Sequence, residues 1–179
     1  METEGDGDEG SSMIINEEVT IVEYAPAVFQ AIKDMDSITS DMINYSLSTD
    51  LNRDSVFKAK ESAGKSGSFF FFSFDRRFII KTMNASELKV FIDCLPKYLK
   101  FLRKNPESLI ARIYGVFTVV MEDIAPVNLL LMANAAQCGK GIEHVFDLKG
   151  SMINREVNMS KDISSSSTLK DQNLLRLSE

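Results

Sequence analysis

Gly64-Lys65-Ser66-Gly67-Ser68-Phe69-Phe70-Phe71-Phe72, followed three residues later by Asp75-Arg76-Arg77-Phe78-Ile79-Ile80-Lys81-Thr82, is the stretch on which the reading of the fold turns. A short glycine-containing turn leads into an aromatic run. A charged turn follows, then a β-branched run that ends on lysine. The runs on either side of Asp75-Arg76-Arg77 have strand composition. The spacing therefore predicts an antiparallel hairpin over Phe69–Phe74 and Phe78–Thr82, although its turn lacks the usual Asn-Gly or Asp-Gly pair. Gly64 and Gly67 let the backbone reach dihedrals other residues avoid and come close to a ligand. Successive backbone N–H groups in such a loop suit phosphate oxygens, and Lys81 adds positive charge from the neighbouring strand.

Three arrangements compete for these residues. Ala59-Lys60-Glu61-Ser62-Ala63-Gly64-Lys65-Ser66 matches the loose Walker A spacing, with alanine for its first glycine. A P-loop opens a helix whose N-terminus faces the phosphates, so this reading requires a helix directly after Ser66. Gly67 and four phenylalanines follow instead. The second arrangement, a loop over phosphates with a lysine on the adjacent strand, is the one protein kinases use. The third is an ordinary hairpin of a structural sheet, with Lys81 reaching solvent from a strand end, as lysines usually do. The residues by themselves leave the last two open. The phenylalanine run reads as sheet packing on alternating faces rather than a base-stacking platform.

Length and charge bound the rest. At 179 residues, with 44% hydrophobic and 26% charged residues, the chain has the composition of one globular domain able to bury a core. Its net charge of −6 argues against nucleic acid as a partner, while leaving a local basic cluster at Lys97, Lys100, Arg103 and Lys104. Cys94 and Cys138 have no metal-ligand spacing and fit idle thiols in a reducing compartment. The N-terminus is acidic and Gly/Ser-rich, unlike a signal peptide, and no apolar run approaches the roughly 20 residues a membrane helix needs.

Residues 1–19 read as a disordered acidic tail, most clearly over 1–12. Val22, Ala25, Val28, Phe29 and Ile32 recur at helical spacing across Thr20–Met35, with Pro26 where a helix tolerates it. A second short helix and loop are expected over Ser37–Leu51, and a strand at Val56–Ala59. Leu88, Phe91, Ile92, Leu95, Leu99 and Leu102 mark one apolar helix stripe, with Ser86 as its N-cap and Pro96 able to kink or divide it. Leu109–Val120 reads as a strand pair with a bulge or turn at Gly115, Val127–Met132 as a buried strand, and Glu143–Leu148 as another strand. Gln137–Gly141 and Asn158–Ser167 read as loops, the latter flexible, before a helix beginning in Thr168–Leu177. The pattern predicts an α+β fold: a mostly antiparallel sheet with flanking helices.

Glu87 and Asp93 are the acids that can pair with Lys81, although Asp93 reads better as a solvated helix residue. Lys149 and Arg155 are candidates for a substrate phosphate, Arg155 in bidentate fashion, against the plainer reading of surface ion pairs around a turn at Gly150. His144 is the single histidine and reads as a structural strand residue, so no chemistry resting on a histidine pair is expected.

The blocks together resemble one family. Gly64 to Thr82, Ser108-Leu109-Ile110-Ala111-Arg112-Ile113-Tyr114-Gly115, Asp147-Leu148-Lys149-Gly150-Ser151 with Arg155, and Thr168-Leu169-Lys170-Asp171 occur in the order found in the N-terminal part of a phosphatidylinositol phosphate kinase catalytic core. Tyr24-Ala25-Pro26 with Phe29, and Phe57-Lys58, fit the same family upstream. The resemblance implies the N-terminal lobe of that fold, which is SAICAR synthase-like, over residues 20–179, with the C-terminal lobe missing. It implies that Gly64, Lys65, Ser66, Gly67 and Ser68 cover the nucleotide, and that Lys81 holds the ATP phosphates with Glu87 as its partner. Met132 and Asn134 would flank adenine on the hinge strand, and Lys149 and Arg155 would face phosphates or the inositol headgroup. The implied reaction moves the γ-phosphoryl of ATP, with Mg2+, onto phosphatidylinositol 4-phosphate to give the 4,5-bisphosphate. The implied location is cytoplasmic, at the cytosolic membrane face, where a basic surface meets anionic headgroups.

The sequence departs from the family at Lys60, where a small residue or glycine is common, and in the alanines around Asn134. The family's catalytic aspartate, in a Met-Asp-Tyr-Ser-Leu segment, and its metal-binding aspartate lie after the point matched by Glu179, so no catalytic or metal-ligating residue is assigned. Ile43-Asn44-Tyr45-Ser46-Leu47 resembles that segment only superficially, because it precedes the glycine loop and carries Asn where the acid is needed. The expectation is a truncated chain inactive alone, its exposed apolar surface meant for the missing lobe or for a homo-oligomer. The alternative is a non-catalytic, pseudokinase-like module that binds nucleotide or phosphoinositide.

Overall fold

The computed structural model describes residues 11–16, 19–59, 68–137, 142–158 and 168–177. It falls into two compact units, residues 1–137 and 138–179. The first unit is a six-stranded antiparallel sheet in the order β1-β2-β5-β6-β4-β3 with four helices, which bears out the α+β expectation.

The chain enters through β1 (Ser11–Asn16) and β2 (Val19–Glu23), paired antiparallel. The tail expected through residue 19 is thus corrected from Ser11 on: Met13-Ile14-Ile15 has strand composition, and its backbone finds a partner in β2. Residues 1–10 and 17–18 lie outside the described residues. The helix expected from Thr20 is also shorter. Val22 belongs to β2, where it pairs with Thr118, and α1 (Pro26–Met35) starts at Pro26, whose fixed φ suits a first helical position. Helices α2 (Ser40–Ser46) and α3 (Thr49–Ala59) follow. Val56–Ala59 therefore ends a helix instead of forming a strand, because a helix nucleated at Thr49 propagates one bond at a time through it.

Strands β3 (Phe70–Phe72) and β4 (Phe78–Met83) form the hairpin read from the sequence. With a helix before residues 60–67 and a strand after them, the P-loop reading is overturned. Helix α4 (Ala85–Lys104) is one continuous helix. Its N-cap is Asn84, not Ser86: Asn84 Oδ1 accepts from the Glu87 N–H at 2.8 Å and Glu87 Oε2 accepts from the Asn84 N–H at 2.9 Å. Pro96 does not divide α4; it lies on the exposed side, and the apolar stripe opposite holds the helix down.

Instead of a strand pair before Val120, β5 (Ile113–Met121) is one strand, turned back through Glu122-Asp123 into β6 (Ile124–Ala133). The bulge expected at Gly115 is present as a register shift between Ile113 and Gly115. A Cβ at Gly115 would stand 2.6 Å from the Phe117 ring, which folds over this position. The core gathers Phe29 and Ile32 of α1, Leu95 and Leu102 of α4, Phe78 of β4, Tyr114 and Val116 of β5, and Leu130 and Leu131 of β6.

The second unit is small. Strands β7 (Val145–Phe146) and β8 (Thr168–Leu169) pair in parallel, and α5 (Asp171–Leu177) follows. The strand expected over Glu143–Leu148 is reduced to its two central residues. The loops expected at Gln137–Gly141 and Asn158–Ser167 lie largely outside the described residues.

Candidate functional site

Lys81 sits in the middle of the hairpin's second strand, so its surroundings follow from register. It pairs with Phe70 on one side and Leu130 on the other. Two residues along, Ile79 pairs with Phe72 and Met132. Cross-strand partners share a face, so Phe70, Phe72, Ile79, Leu130 and Met132 make an apolar bed around one ammonium group. Lys81 Nζ lies 5.9 Å from the centre of the Phe70 ring and 3.8 Å from Glu87 Oε1, and the side chain is about one-third exposed. Its counter-charge arrives from α4 because the capping box fixes Glu87 in the first turn, one oxygen on the Asn84 N–H and the other toward Lys81. Lys81 is thus a partly exposed cation on an apolar sheet face, with the Glu87 carboxylate at the limit of pairing distance.

The glycine turn expected to cover such a ligand falls on Gly64, Lys65, Ser66 and Gly67, outside the described residues. Ser68 is the first residue described after it. Next to it, Phe69 closes the base of the hairpin: its N–H donates to Thr82 Oγ1 at 2.8 Å, and its carbonyl accepts from the Thr82 N–H at 3.0 Å.

Met132 and Asn134 come to the other side of β4. Met132 pairs with Ile79 and Ile113 and is partly buried. Asn134 is occupied within the chain. Its Nδ2 donates to the Arg76 carbonyl and its backbone N–H to the Arg77 carbonyl, each at 2.8 Å, while Oδ1 accepts from Ala136 N–H at 3.2 Å. These bonds hold the hairpin turn expected at Asp75-Arg76-Arg77; what sequence reasoning missed is how Asp75 itself is tethered. Asp75 accepts from Ser46 Oγ at 2.6 Å and from Ser73 Oγ at 2.7 Å. Burial pushes its carboxyl toward neutrality, but these hydroxyls, the Arg77 N–H and the Arg77 charge outweigh burial and hold it below the usual range. An aspartate opening a tight turn is the one local signal that could have pointed to it.

Lys149 and Arg155 belong to the second unit. Lys149 Nζ is 3.1 Å from Asp147 Oδ1 on an open surface. Arg155 is enclosed: its Nε donates to Asp171 Oδ2 at 2.8 Å, and its Nη2 reaches both the carbonyl and the carboxylate of Asp147. Asp171 also accepts from the Lys149 and Gly150 N–H groups at 3.0 and 2.8 Å. The Arg155 hydrogen bond leads the causes that hold the Asp171 carboxyl down to about 2. The sequence-based roles of Lys149 and Arg155 therefore meet a difference in availability: Lys149 is open, whereas Arg155 braces the turn at Gly150 against the start of α5.

Among the described residues no group of three His, Cys, Asp or Glu is placed to hold a metal ion, so no step through a metal is derived from this chain. No described helix is long and apolar enough to cross a membrane.

The family model for Phosphatidylinositol-4-phosphate 5-Kinase matches residues 51–179, which include most of α3, the hairpin, α4, β5, β6 and the second unit. The chain is 36% identical over 150 residues to a probable phosphatidylinositol phosphate kinase of Dictyostelium discoideum, covering 83% of this chain and 21% of that protein. It is 36% identical over 155 residues to the phosphatidylinositol 4-phosphate 5-kinase its3 of Schizosaccharomyces pombe, covering 86% and 20%. It is 35% identical over 155 residues to phosphatidylinositol 4-phosphate 5-kinase 6 of Arabidopsis thaliana, covering 85% and 21%. The chain thus spans about a fifth of the length of these relatives. With the family model matching everything from within α3 onward and relatives of the same kind aligned over most of its length, the chain belongs to the phosphatidylinositol-4-phosphate 5-kinase family.

Proposed function

We propose that this chain supplies the nucleotide-holding part of a lipid kinase that transfers the γ-phosphoryl group of ATP to an inositol hydroxyl of phosphatidylinositol 4-phosphate. Membership of a kinase family implies ATP as donor and a phosphoinositide as acceptor. The observation that carries the reading is Lys81 on its apolar bed, tethered loosely to Glu87 at 3.8 Å. A developing charge on the transferred phosphoryl group is met by a cation already in place. In the transfer, an O–P bond forms at the inositol hydroxyl as the bond to the departing ADP breaks, and the hydroxyl proton goes to a base. Glu87, engaged by the cap and by Lys81, is not assigned as that base. Mg2+, when bound, would neutralise phosphate charge there, and no described residue is named as its ligand.

ATP binding and phosphorylation of phosphatidylinositol 4-phosphate by the 179-residue chain, with Lys81→Met as control, test the reading. The expected result is ATP binding without turnover, weakened at least tenfold in Lys81→Met, the size of effect a lost charge-assisted contact brings. Turnover by the chain alone would mean that its own residues supply the base. Binding equal in both proteins would remove Lys81 from the site.

Action at the cytosolic face of a membrane is part of the same proposal. Its support is the outer side of α4, where Lys89, Lys97, Lys100, Arg103 and Lys104 are all exposed on a chain of net charge −6. Each basic residue near an anionic surface contributes about 1 kcal/mol. Co-sedimentation with phosphatidylserine vesicles should fall sharply for the Lys97→Gln, Lys100→Gln, Arg103→Gln triple variant and at raised salt. Unchanged binding would move the membrane contact elsewhere.

A further inference from the structure

We infer that the buried polar cluster centred on Asp75 positions the nucleotide site, with Asp75 as its central positioning residue; this rests on the reading of Lys81 as the phosphate-holding lysine. Ser46, Asn52 and Ser73 are 1%, 2% and 1% exposed, an unusual environment for three polar side chains around a hairpin tip. Hairpin tips are ordinarily solvated, and a buried polar group costs free energy unless every partner is supplied.

Here the partners are supplied from three directions. From the α2–α3 junction, Ser46 Oγ donates to Asp75 Oδ2 at 2.6 Å. Asn52 ties the same junction together, donating to the Ser46 and Ser48 carbonyls at 2.9 and 2.7 Å, while its Oδ1 accepts from the Phe74 N–H at 2.8 Å. From within the hairpin, Ser73 Oγ donates to Asp75 Oδ1 at 2.7 Å and accepts from the Phe78 N–H at 3.0 Å. From beyond β6, the carbonyls of Asp75, Arg76 and Arg77 accept from Gln137 Nε2, Asn134 Nδ2 and Asn134 N–H, each at 2.8 Å. Arg76 is thereby held at φ +58°, a conformation a non-glycine residue needs support to keep.

Each of the three tethered pieces leads to the site. β4 runs from Phe78 to Lys81, roughly 10 Å along a strand. β6 ends at Ala133, between Met132 and Asn134, next to the same turn. α3 runs on to Ala59, immediately before the glycine-bearing segment. The Asp75 carboxylate is bonded to Ser46, Ser73 and the Arg77 N–H, and acts on the site through the pieces they belong to. It sets the relation between the strand that carries the lysine, the strand end expected beside the base, and the helix that precedes the glycines. A fully satisfied polar network specifies one geometry, where an apolar contact tolerates several.

The experiment compares ATP binding by wild type, Asp75→Asn, Asp75→Ala and Ser46→Ala at a temperature where circular dichroism shows each folded. Leu102→Ala is the control for general destabilisation, a core cavity in α4 outside the cluster. Amide hydrogen exchange is followed on every protein. Affinity should fall about tenfold in Asp75→Asn and further in Asp75→Ala, the scale on which displaced first contacts are felt. Leu102→Ala should keep its affinity within about twofold, despite the larger loss of fold stability. Exchange should quicken in Asp75→Asn across α3, β4 and Met132–Asn134 together. Unchanged affinity in both Asp75 variants, while Lys81→Met loses binding, would overturn the inference. If wild type does not bind ATP, the nucleotide reading fails, and exchange still decides the positioning role: quickening confined to residues 73–78 overturns it, and quickening in all three pieces sustains it.

Discussion

Asp171 gathers the Arg155 guanidinium and two backbone N–H groups on one carboxylate, and its acidity follows from that count. The folded value of about 2 lies below the ordinary 3.8, so the ionised form is the one the fold favours. A carboxylate depressed in this way stabilises the folded state at every pH above its unfolded value. The contribution fades as the pH drops from about 3.8 toward about 2, and is gone below that. The expected outcome is a carboxyl titration of Asp171 by nuclear magnetic resonance with its midpoint near 2, and an acid-unfolding limb of the second unit that disappears in Asp171→Asn. A midpoint near 3.8 would mean that the Arg155 contact does not persist in solution. Residues of this kind were poorly legible in the sequence. Asp171 lies 16 positions from Arg155, and Asp75 lies 29 positions from Ser46, so no local pattern announces either partner. Lys81 was legible because its position at the end of an apolar run is a local fact. The nearness of Glu87 was less legible: the sequence offers it as a partner, but the capping box that fixes it starts at Asn84, and Ser86 competes for the cap in the sequence.

At the level of elements, composition decided well where the chain had one strong preference and badly where two were close. The phenylalanine and isoleucine runs became β3 and β4, and the six leucine, isoleucine and phenylalanine positions from Leu88 to Leu102 became the inner stripe of α4. Thr20-Ile21-Val22 fits both a helical and an alternating pattern, and the pairing of β2 with β5 settled it as strand. Val56–Ala59 is β-prone by composition but is carried by the helix before it. Pro96 is the instructive case, since sequence alone weighs it as a break. A proline in a helix interior forfeits one backbone hydrogen bond and crowds the preceding turn, a cost of about 3 kcal/mol in isolation. Buried Leu95 and Leu102 on the other side of α4 keep the helix whole against that cost. Pro96→Ala should accordingly stabilise the fold by about 1 kcal/mol or more, once the lost stiffness of the unfolded chain is set against the gain, and so raise the urea midpoint. A variant less stable than wild type would show that α4 depends on the geometry the proline imposes.

For the whole molecule, the antiparallel sheet and its flanking helices could be read from the order of periodic segments, whereas the strand order could not. β5 lies between β2 and β6, and β4 between β6 and β3, so β4 is separated from β5 by a strand that comes later in the chain. One consequence follows from the carboxylate that α4 and Lys81 share. Because Glu87 closes the helix cap with one oxygen and faces the lysine with the other, local folding at the start of α4 and occupancy beside Lys81 draw on a common group. Thermodynamic reciprocity then requires that whatever binds best when Glu87 is in place also tightens the helix end that keeps it there. Saturating ATP should slow amide exchange at Glu87 and Leu88, by the factor by which Asn84→Ala, which frays that end, weakens ATP. Unequal factors would show that the cap and the ligand are independent. Equal ones would make the first turn of α4 a sensor of the occupied state, written into the chain by four consecutive residues.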